Sequence, residues 1–137
     1  MNYYIGMDAG GTKTESVLVD ETGHILCRTL HKGCNPMDNG VPLMVERILT
    51  AATAVVEQAP GPIAGLYGGL AGLDRVDVPM AKYLMERLPL KHARTEDDGF
   101  NMISGTLGHT DGCAMVCGTG ASLFGRVEGK PDRKSVV

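Results

Sequence analysis

The stretch that decides the fold is DAGGTKT, residues 8–14, close to the start of the 137-residue sequence. It follows a short apolar segment that predicts a buried strand. Two adjacent glycines permit a tight turn and let backbone N–H groups approach a ligand, and the hydroxyl and amine groups behind them add donors and positive charge. The arrangement suits a phosphate chain. With an acid, two threonines and a lysine all present, phosphate binding is favoured over a glycine-rich hairpin with a surface lysine.

Hydrophobic periodicity on either side of this stretch predicts an α/β chain. Strands are expected at 3–9, 14–20 and 24–30 as an antiparallel meander, because their connections are short. A helix is expected from a cap at Asn39 to Ala59, and a second after a cap at Asp77. The later elements are expected as strands at 63–70, 91–96, 113–117 and 122–127, a helix at 100–107 and a polar tail at 129–133. The order predicts a mixed sheet with helices on both faces.

Composition excludes several classes of function. The net charge of −3 gives no electrostatic case for binding nucleic acid or an anionic membrane. No Walker A ending of glycine, lysine and serine or threonine occurs, and a dinucleotide fingerprint starting at Gly118 fails because Leu123 stands at its third glycine position. The four cysteines form no C-x-x-C pair, which favours buried free thiols in a reducing cytoplasm.

Residues 8–14 resemble the first phosphate motif of the actin-like ATPase fold, which actin, the hexokinases and the 70-kDa chaperones share. The Gly-Gly-Thr-Lys-Thr form is most similar to N-acetylglucosamine kinases and to the related ATPase activators of benzoyl-CoA reductase and 2-hydroxyacyl-CoA dehydratase. Three later stretches agree in order: GCNP at 33–36, GLAG at 69–72 and GTG at 118–120. The resemblance implies a ribonuclease H-like domain, with a three-strand meander and flanking helices, at 1–110. It implies the first hairpin of a second, similar domain at 111–137.

The resemblance also implies a site for ATP, Mg²⁺ and a sugar. In this fold a hairpin from each domain clasps the phosphates. The expected phosphate contacts are Gly10, Gly11, Thr12, Lys13, Thr14, Gly118, Thr119 and Gly120. The expected sugar contacts are Asn35 and Gly72, and Asp8 is expected to hold Mg²⁺ through water. One departure weakens the second hairpin: Ala121 stands where the kinases usually carry serine, and the neighbouring Ser122 faces the other side of a strand.

A general base is the remaining requirement for phosphorylating a hydroxyl. The resembling kinases carry Asn-Asp and a small residue at a strand end, and here Asp97-Asp98-Gly99 stands at that place. Asp98 therefore matches the base, and Asp97 stands where asparagine is commoner. The alternative is that one of these acids only caps the following helix. The position of Asp98, 20 residues before Gly118, favours catalysis.

The sequence thus predicts an ATP-dependent sugar kinase of the cytoplasm, acting on N-acetylglucosamine or a related amino sugar. The adenosine motif of the family has no counterpart here, so we expect a truncated chain with little activity alone. The exposed hairpin at 113–127 is expected to drive homo-oligomer formation. Two alternatives stay open. One is an ATPase activator subunit that holds an iron–sulfur cluster between two subunits, although Asn35-Pro36 favours a kinase that binds sugar. The other is a non-catalytic half-domain that binds a partner.

Overall fold

The computed structural model describes residues 1–117 and 121–135, with side chains described to residue 115 and over 123–130. The chain separates into two compact units, Met1–Asp98 and Gly99–Val137. The domain boundary expected after residue 110 separates the two domains of the fold that the sequence resembles, and it stays a prediction. None of the helices that the structure describes is both long enough and apolar enough to span a membrane.

The first unit is built on a five-stranded mixed sheet in the order β3-β2-β1-β4-β5. Its strands are β1 Tyr3–Ala9, β2 Lys13–Asp20, β3 Ile25–Lys32, β4 Ile63–Leu70 and β5 Ala93–Asp97. Antiparallel pairing joins β1 to β2 and β2 to β3, which confirms the predicted meander. Parallel pairing joins β1 to β4 and β4 to β5. The strands β1, β3, β4 and β5 therefore all run in one direction.

The helices of the first unit are α1 Pro36–Asn39, α2 Val41–Val56 and α3 Met80–Arg87, with a short 3₁₀ turn at Leu73–Arg75. The helix expected after Asn39 is present as α2, but its predicted cap is wrong, because Gly40 at φ 81° occupies the cap position and Asn39 ends the unpredicted helix α1. Prolines in the first turn of both α1 and α2 favour helix starts there. The predicted Asp77 cap is also wrong, since α3 begins at Met80 and Pro79 occupies the cap position.

One hydrophobic core lies between the sheet and the two longer helices. Alternate residues of β1, such as Ile5 and Met7, are buried against one stripe of α2 that includes Met44 and Ile48. Leu84 of α3 belongs to the same core cluster. Both helices therefore cover the same face of the sheet. The prediction of helices on both faces also involved the helix at 100–107, which belongs to the second unit, so it stays a prediction. The opposite face carries polar pairs such as Tyr67, whose hydroxyl donates to Glu96 Oε2 at 2.8 Å.

The second unit contains helix α4 Gly99–Leu107 and a three-stranded antiparallel sheet in the order β6-β7-β8. Its strands are β6 Gly112–Cys117, β7 Ala121–Val127 and β8 Lys130–Ser135. The third strand replaces the expected polar tail, because Gly129 at φ 74° closes a turn that folds the chain back onto β7. Helix α4 packs on this sheet, and the ring of Phe124 fills the space beside Gly99 that a side chain would need.

Candidate functional site

The expected site residues of the first unit gather at one edge of its sheet. The carboxyl ends of β1, β3, β4 and β5 meet there because these strands run in the same direction. Four segments follow these ends: the hairpin 10–12, the loop 33–36, the pair 71–72 and Asp98. The carboxyl edge of such a sheet is the usual place for a ligand.

The hairpin and the loop after β3 are joined through their backbones. The Gly10 N–H donates to the Lys13 carbonyl at 2.9 Å and closes the hairpin. Cys34 N–H donates to Gly10 O at 3.1 Å, and Gly33 N–H donates to Thr12 O at 3.2 Å. A Cβ on Gly33 would lie 2.7 Å from the Thr12 carbonyl carbon and closer still to the Gly11 carbonyl. Only glycine permits this approach.

The side chains around the hairpin divide between solvent and core. Asp8, Thr12 and Lys13 are exposed at the sheet edge, as a phosphate and Mg²⁺ site requires. Thr14 is fully buried, and its hydroxyl donates to the Lys32 carbonyl at 2.9 Å. The expected contact from the Thr14 hydroxyl to phosphate is therefore not supported, since that side chain points into the protein and stabilises the β2–β3 pairing.

A buried thiol lies directly beneath the same hairpin. Cys34 is fully buried, with its Sγ 3.6 Å from the Thr14 hydroxyl oxygen. Burial raises the pKa of the Cys34 thiol, and the contact with Thr14 and the charge of Arg47 offset this only in part. The group stays a neutral thiol at physiological pH. The prediction of buried free thiols is confirmed for Cys34 and is wrong for Cys113, which is exposed.

The two expected sugar contacts are neighbours in the structure. The Ala71 N–H donates to Ala9 O at 2.8 Å and fixes the end of β4 beside β1. The next residue, Gly72, has φ 74°, and a Cβ placed on it would lie 3.0 Å from Asn35 Oδ1. Asn35 Oδ1 accepts from the Met37 N–H at 3.0 Å, so this side chain also caps α1.

The two adjacent acids differ in their surroundings. Asp97 is the last residue of β5, pairs in register with Leu70 and is only 4% exposed. Asp98 follows the strand and is half-buried, immediately before α4. The second phosphate hairpin, Gly118, Thr119 and Gly120, lies outside the described residues.

Sequence reasoning missed one residue that supports this edge. Arg47, on α2, donates from Nη1 to the Gly33 carbonyl at 2.6 Å and is half-buried. A signal was present: Arg47 lies three residues after Met44 and four before Ala51, on the border of the apolar stripe. A cation at such a border often reaches a carbonyl, and here it holds the loop that contacts the hairpin.

Solved structures first define the class of fold. A proposed N-acetylglucosamine kinase from Chromobacterium violaceum superposes with a TM-score of 0.72 at 23% identity, over 96% of this chain and 47% of that one. A ROK family glucokinase from Streptomyces griseus, solved with glucose and AMPPNP, gives a TM-score of 0.64 at 22% identity, over 95% and 46%. The fold is that of the actin-like ATPases, the class to which these sugar kinases belong.

The particular family follows from the sequence profile of the BadF/BadG/BcrA/BcrD ATPase family, which matches residues 5–136. The chain belongs to this family. It is 26% identical over 137 residues to the N-acetyl-D-glucosamine kinase of Dictyostelium discoideum, and 25% identical over 126 residues to the glucosamine kinase GspK of Vibrio cholerae. These matches cover 89% and 88% of the chain but only 43% and 42% of the relatives, so it spans less than half their length.

Proposed function

We propose that this chain forms the amino-terminal part of an ATP-dependent kinase that phosphorylates a hydroxyl of an amino sugar, N-acetylglucosamine or a close relative. The observation that carries the proposal is the meeting of the hairpin 10–12, the loop 33–36, Gly72 and Asp98 at one sheet edge. Each segment brings the type of group that phosphoryl transfer to a sugar requires. The names of the two curated relatives support the choice of an amino sugar.

The hairpin would receive the phosphates of ATP. Gly11 and Thr12 form its exposed tip, where backbone N–H groups and a hydroxyl can donate to phosphate oxygens. The Lys13 ammonium lies 3.9 Å from Glu15 Oε2 in an exposed pair. Such pairs are weak, so the lysine is available to a stronger anion. The backbone contacts from Gly33 and Cys34 hold the hairpin in place before the nucleotide arrives.

The residues present fit Mg²⁺ bound mainly through water and phosphate. Asp8 offers an exposed carboxylate at the end of β1, directly before the hairpin. Among the described residues no group of three or more His, Cys, Asp or Glu could hold a metal by itself. Mg²⁺ commonly uses one or two carboxylates together with substrate phosphates, so one acid is sufficient. When bound, the ion neutralises charge on the phosphates.

The sugar would lie between Asn35, Gly72 and Asp98. A Cβ on Gly72 would crowd Asn35 Oδ1 and, at 3.1 Å, Pro36 Cδ, and φ 74° also favours glycine. Glycine at this position therefore leaves the space beside Asn35 and Pro36 unfilled. Asp98 would accept the proton of the attacking hydroxyl, because a carboxylate at the strand end can reach a group held against the two neighbouring loops.

The hairpin part of this proposal predicts a specific loss of polyphosphate binding. Lys13→Gln removes one cation from the hairpin while keeping a side chain of similar length, so the affinity of the chain for tripolyphosphate should fall about tenfold. Titration followed by ¹⁵N amide chemical shifts measures it. Lys91→Gln is the matched control, since Lys91 is an exposed lysine before β5, at the opposite edge of the sheet. Equal losses in both variants would contradict the hairpin site.

The second candidate function is an ATPase activator subunit with an iron–sulfur cluster. The description of the family as one of ATPases supports this alternative. Three cysteines bear on it: Cys34 is buried beside Thr14, Cys27 is half-buried and Cys113 is exposed. Cys117 lies in β6, and its side chain is outside the described part. Iron analysis of protein purified without oxygen separates the functions, because a kinase requires no iron and an activator of this type holds a cluster.

We also propose that the chain self-associates through the sheet of its second unit. Strand pairing puts Met115, Leu123 and Val127 on one face, and Met115 and Val127 are 58% and 71% exposed. Phe124, expected in this patch, is buried and packs at Gly99 instead. Met115→Gln should shift light scattering toward monomer. The control is Met85→Gln, which changes an exposed methionine of α3. A monomeric wild-type chain at high concentration would contradict the proposal.

A further inference from the structure

A cleft of the first unit lies between the end of β3 and the first half of α2. Its volume is about 370 Å³, within the range of small-molecule sites. Its six lining residues come from these two elements: His31, Lys32, Leu43, Glu46, Arg47 and Thr50. The lining therefore combines two cations and an imidazole with a single acid, an excess of positive charge that favours an anion.

Arg47 connects this cleft to the hairpin edge. Its Nη1 donates to the Gly33 carbonyl, and Gly33 in turn donates to Thr12 O and packs on the Gly11 carbonyl. A guanidinium carries five N–H groups, so one bond to a carbonyl leaves others free to donate. Two of them can donate in parallel to two oxygens of one phosphoryl group. Arg47 can then hold the loop and an anion at the same time.

The other lining residues suit the same ligand. The His31 imidazole has an N–H donor in either protonation state. Thr50 is exposed on α2, one turn after Glu46, where a hydroxyl at the mouth of the cleft can donate to an oxygen. Leu43 supplies an apolar wall suited to the carbon skeleton of a bound molecule. The volume exceeds that of one phosphate group and leaves room for a sugar-sized remainder.

We propose that this cleft binds the phosphoryl group of a small molecule, with Arg47 and His31 as its donors. The bound anion accepts from the same guanidinium that donates to the Gly33 carbonyl. Binding in the cleft therefore changes the surroundings of the loop that supports the hairpin. Anion binding in this cleft does not require that the chain belong to a kinase.

The test is a ¹⁵N amide titration of the 137-residue chain at constant ionic strength, with chloride as the balancing anion. Inorganic phosphate, a phosphorylated amino sugar and the unphosphorylated sugar are added separately. Both phosphate probes should shift the amides of His31, Gly33 and Arg47. A tighter fit of the sugar phosphate identifies the phosphorylated sugar as the ligand, and equal affinities identify free phosphate.

Two variants at exposed positions of α2 alter the charge of the cleft without touching the core. Thr50→Glu places a carboxylate at the mouth and should weaken binding about fivefold, and Glu46→Gln removes the acid and should tighten it by a similar factor. The control is Glu57→Gln, the same charge change at the end of α2 and outside this cleft. The proposal is overturned if phosphate shifts only residues 10–13, if the unphosphorylated sugar binds equally well, or if neither variant differs from the control.

Discussion

Asp98→Asn is expected to lower turnover by about 10²–10⁴-fold while leaving nucleotide affinity nearly unchanged. Asparagine has the shape of aspartate but cannot accept the proton of the attacking hydroxyl at physiological pH. It also caps a helix about as well as aspartate, so α4, which begins at the next residue, should form normally. The measurement is steady-state ADP release with N-acetylglucosamine and Mg-ATP, on a catalytically active polypeptide that contains these residues.

Asp97→Asn is the matched control, because it makes the same chemical change one residue earlier. Asp97 is buried at the end of β5, and asparagine is the commoner residue there in the kinases that this sequence resembles. Most of the activity should survive. Loss of turnover in Asp97→Asn alone would move the base by one residue. Full activity of both variants would rule out the proposed mechanism, while circular dichroism of each variant shows whether the fold is intact.

Gly33→Ala is expected to destabilise the first unit by at least about 3 kcal/mol, or to prevent its folding. The added methyl would overlap the backbone of Gly11 and Thr12, and a backbone held in a strand hairpin cannot move aside as a flexible side chain can. Separating the two loops would also break the hydrogen bond from Gly33 N–H to Thr12 O. Urea denaturation followed by circular dichroism measures the loss.

Gly11→Ala tests whether this loss comes from the specific contact. Gly11 lies on the other side of the same approach, yet a Cβ there would meet nothing nearer than Asn35 Cβ at 3.8 Å. Its free energy of unfolding should stay within about 1 kcal/mol of the wild type. If Gly33→Ala proves equally mild, the loop and the hairpin are further apart in solution than in this structure.

The strands were predictable from the sequence because their signals are local. Segments 3–9 and 63–70 are apolar runs that end in glycine-rich turns, and both strands have these bounds. Helix starts were harder, because Gly40 and not Asn39 caps α2, and the short helix α1 before it was not predicted. Pattern alone also missed β8, since its polar residues KPDRKS lack the alternation of a half-buried strand.

The sequence predicted which residues lie at the candidate site better than it predicted where their side chains point. Motif order put the hairpin, Asn35, Gly72 and Asp98 in one group, and they follow strands that end at the same edge. Which way a side chain points depends on strand parity, and parity turns Thr14 into the core. The support from Arg47 depends on how α2 packs against β3, which no local motif encodes.

The cap at α1 determines how the Asn35 amide is oriented. One lone pair of its amide oxygen accepts from the Met37 N–H, and this bond holds the amide group in one direction. In the proposed sugar site the amide NH₂ would then donate to an acceptor oxygen of the ligand, and the second lone pair of the amide oxygen could accept one more hydrogen bond. A helix of four residues thereby sets the orientation of a side chain that the proposal places against the sugar.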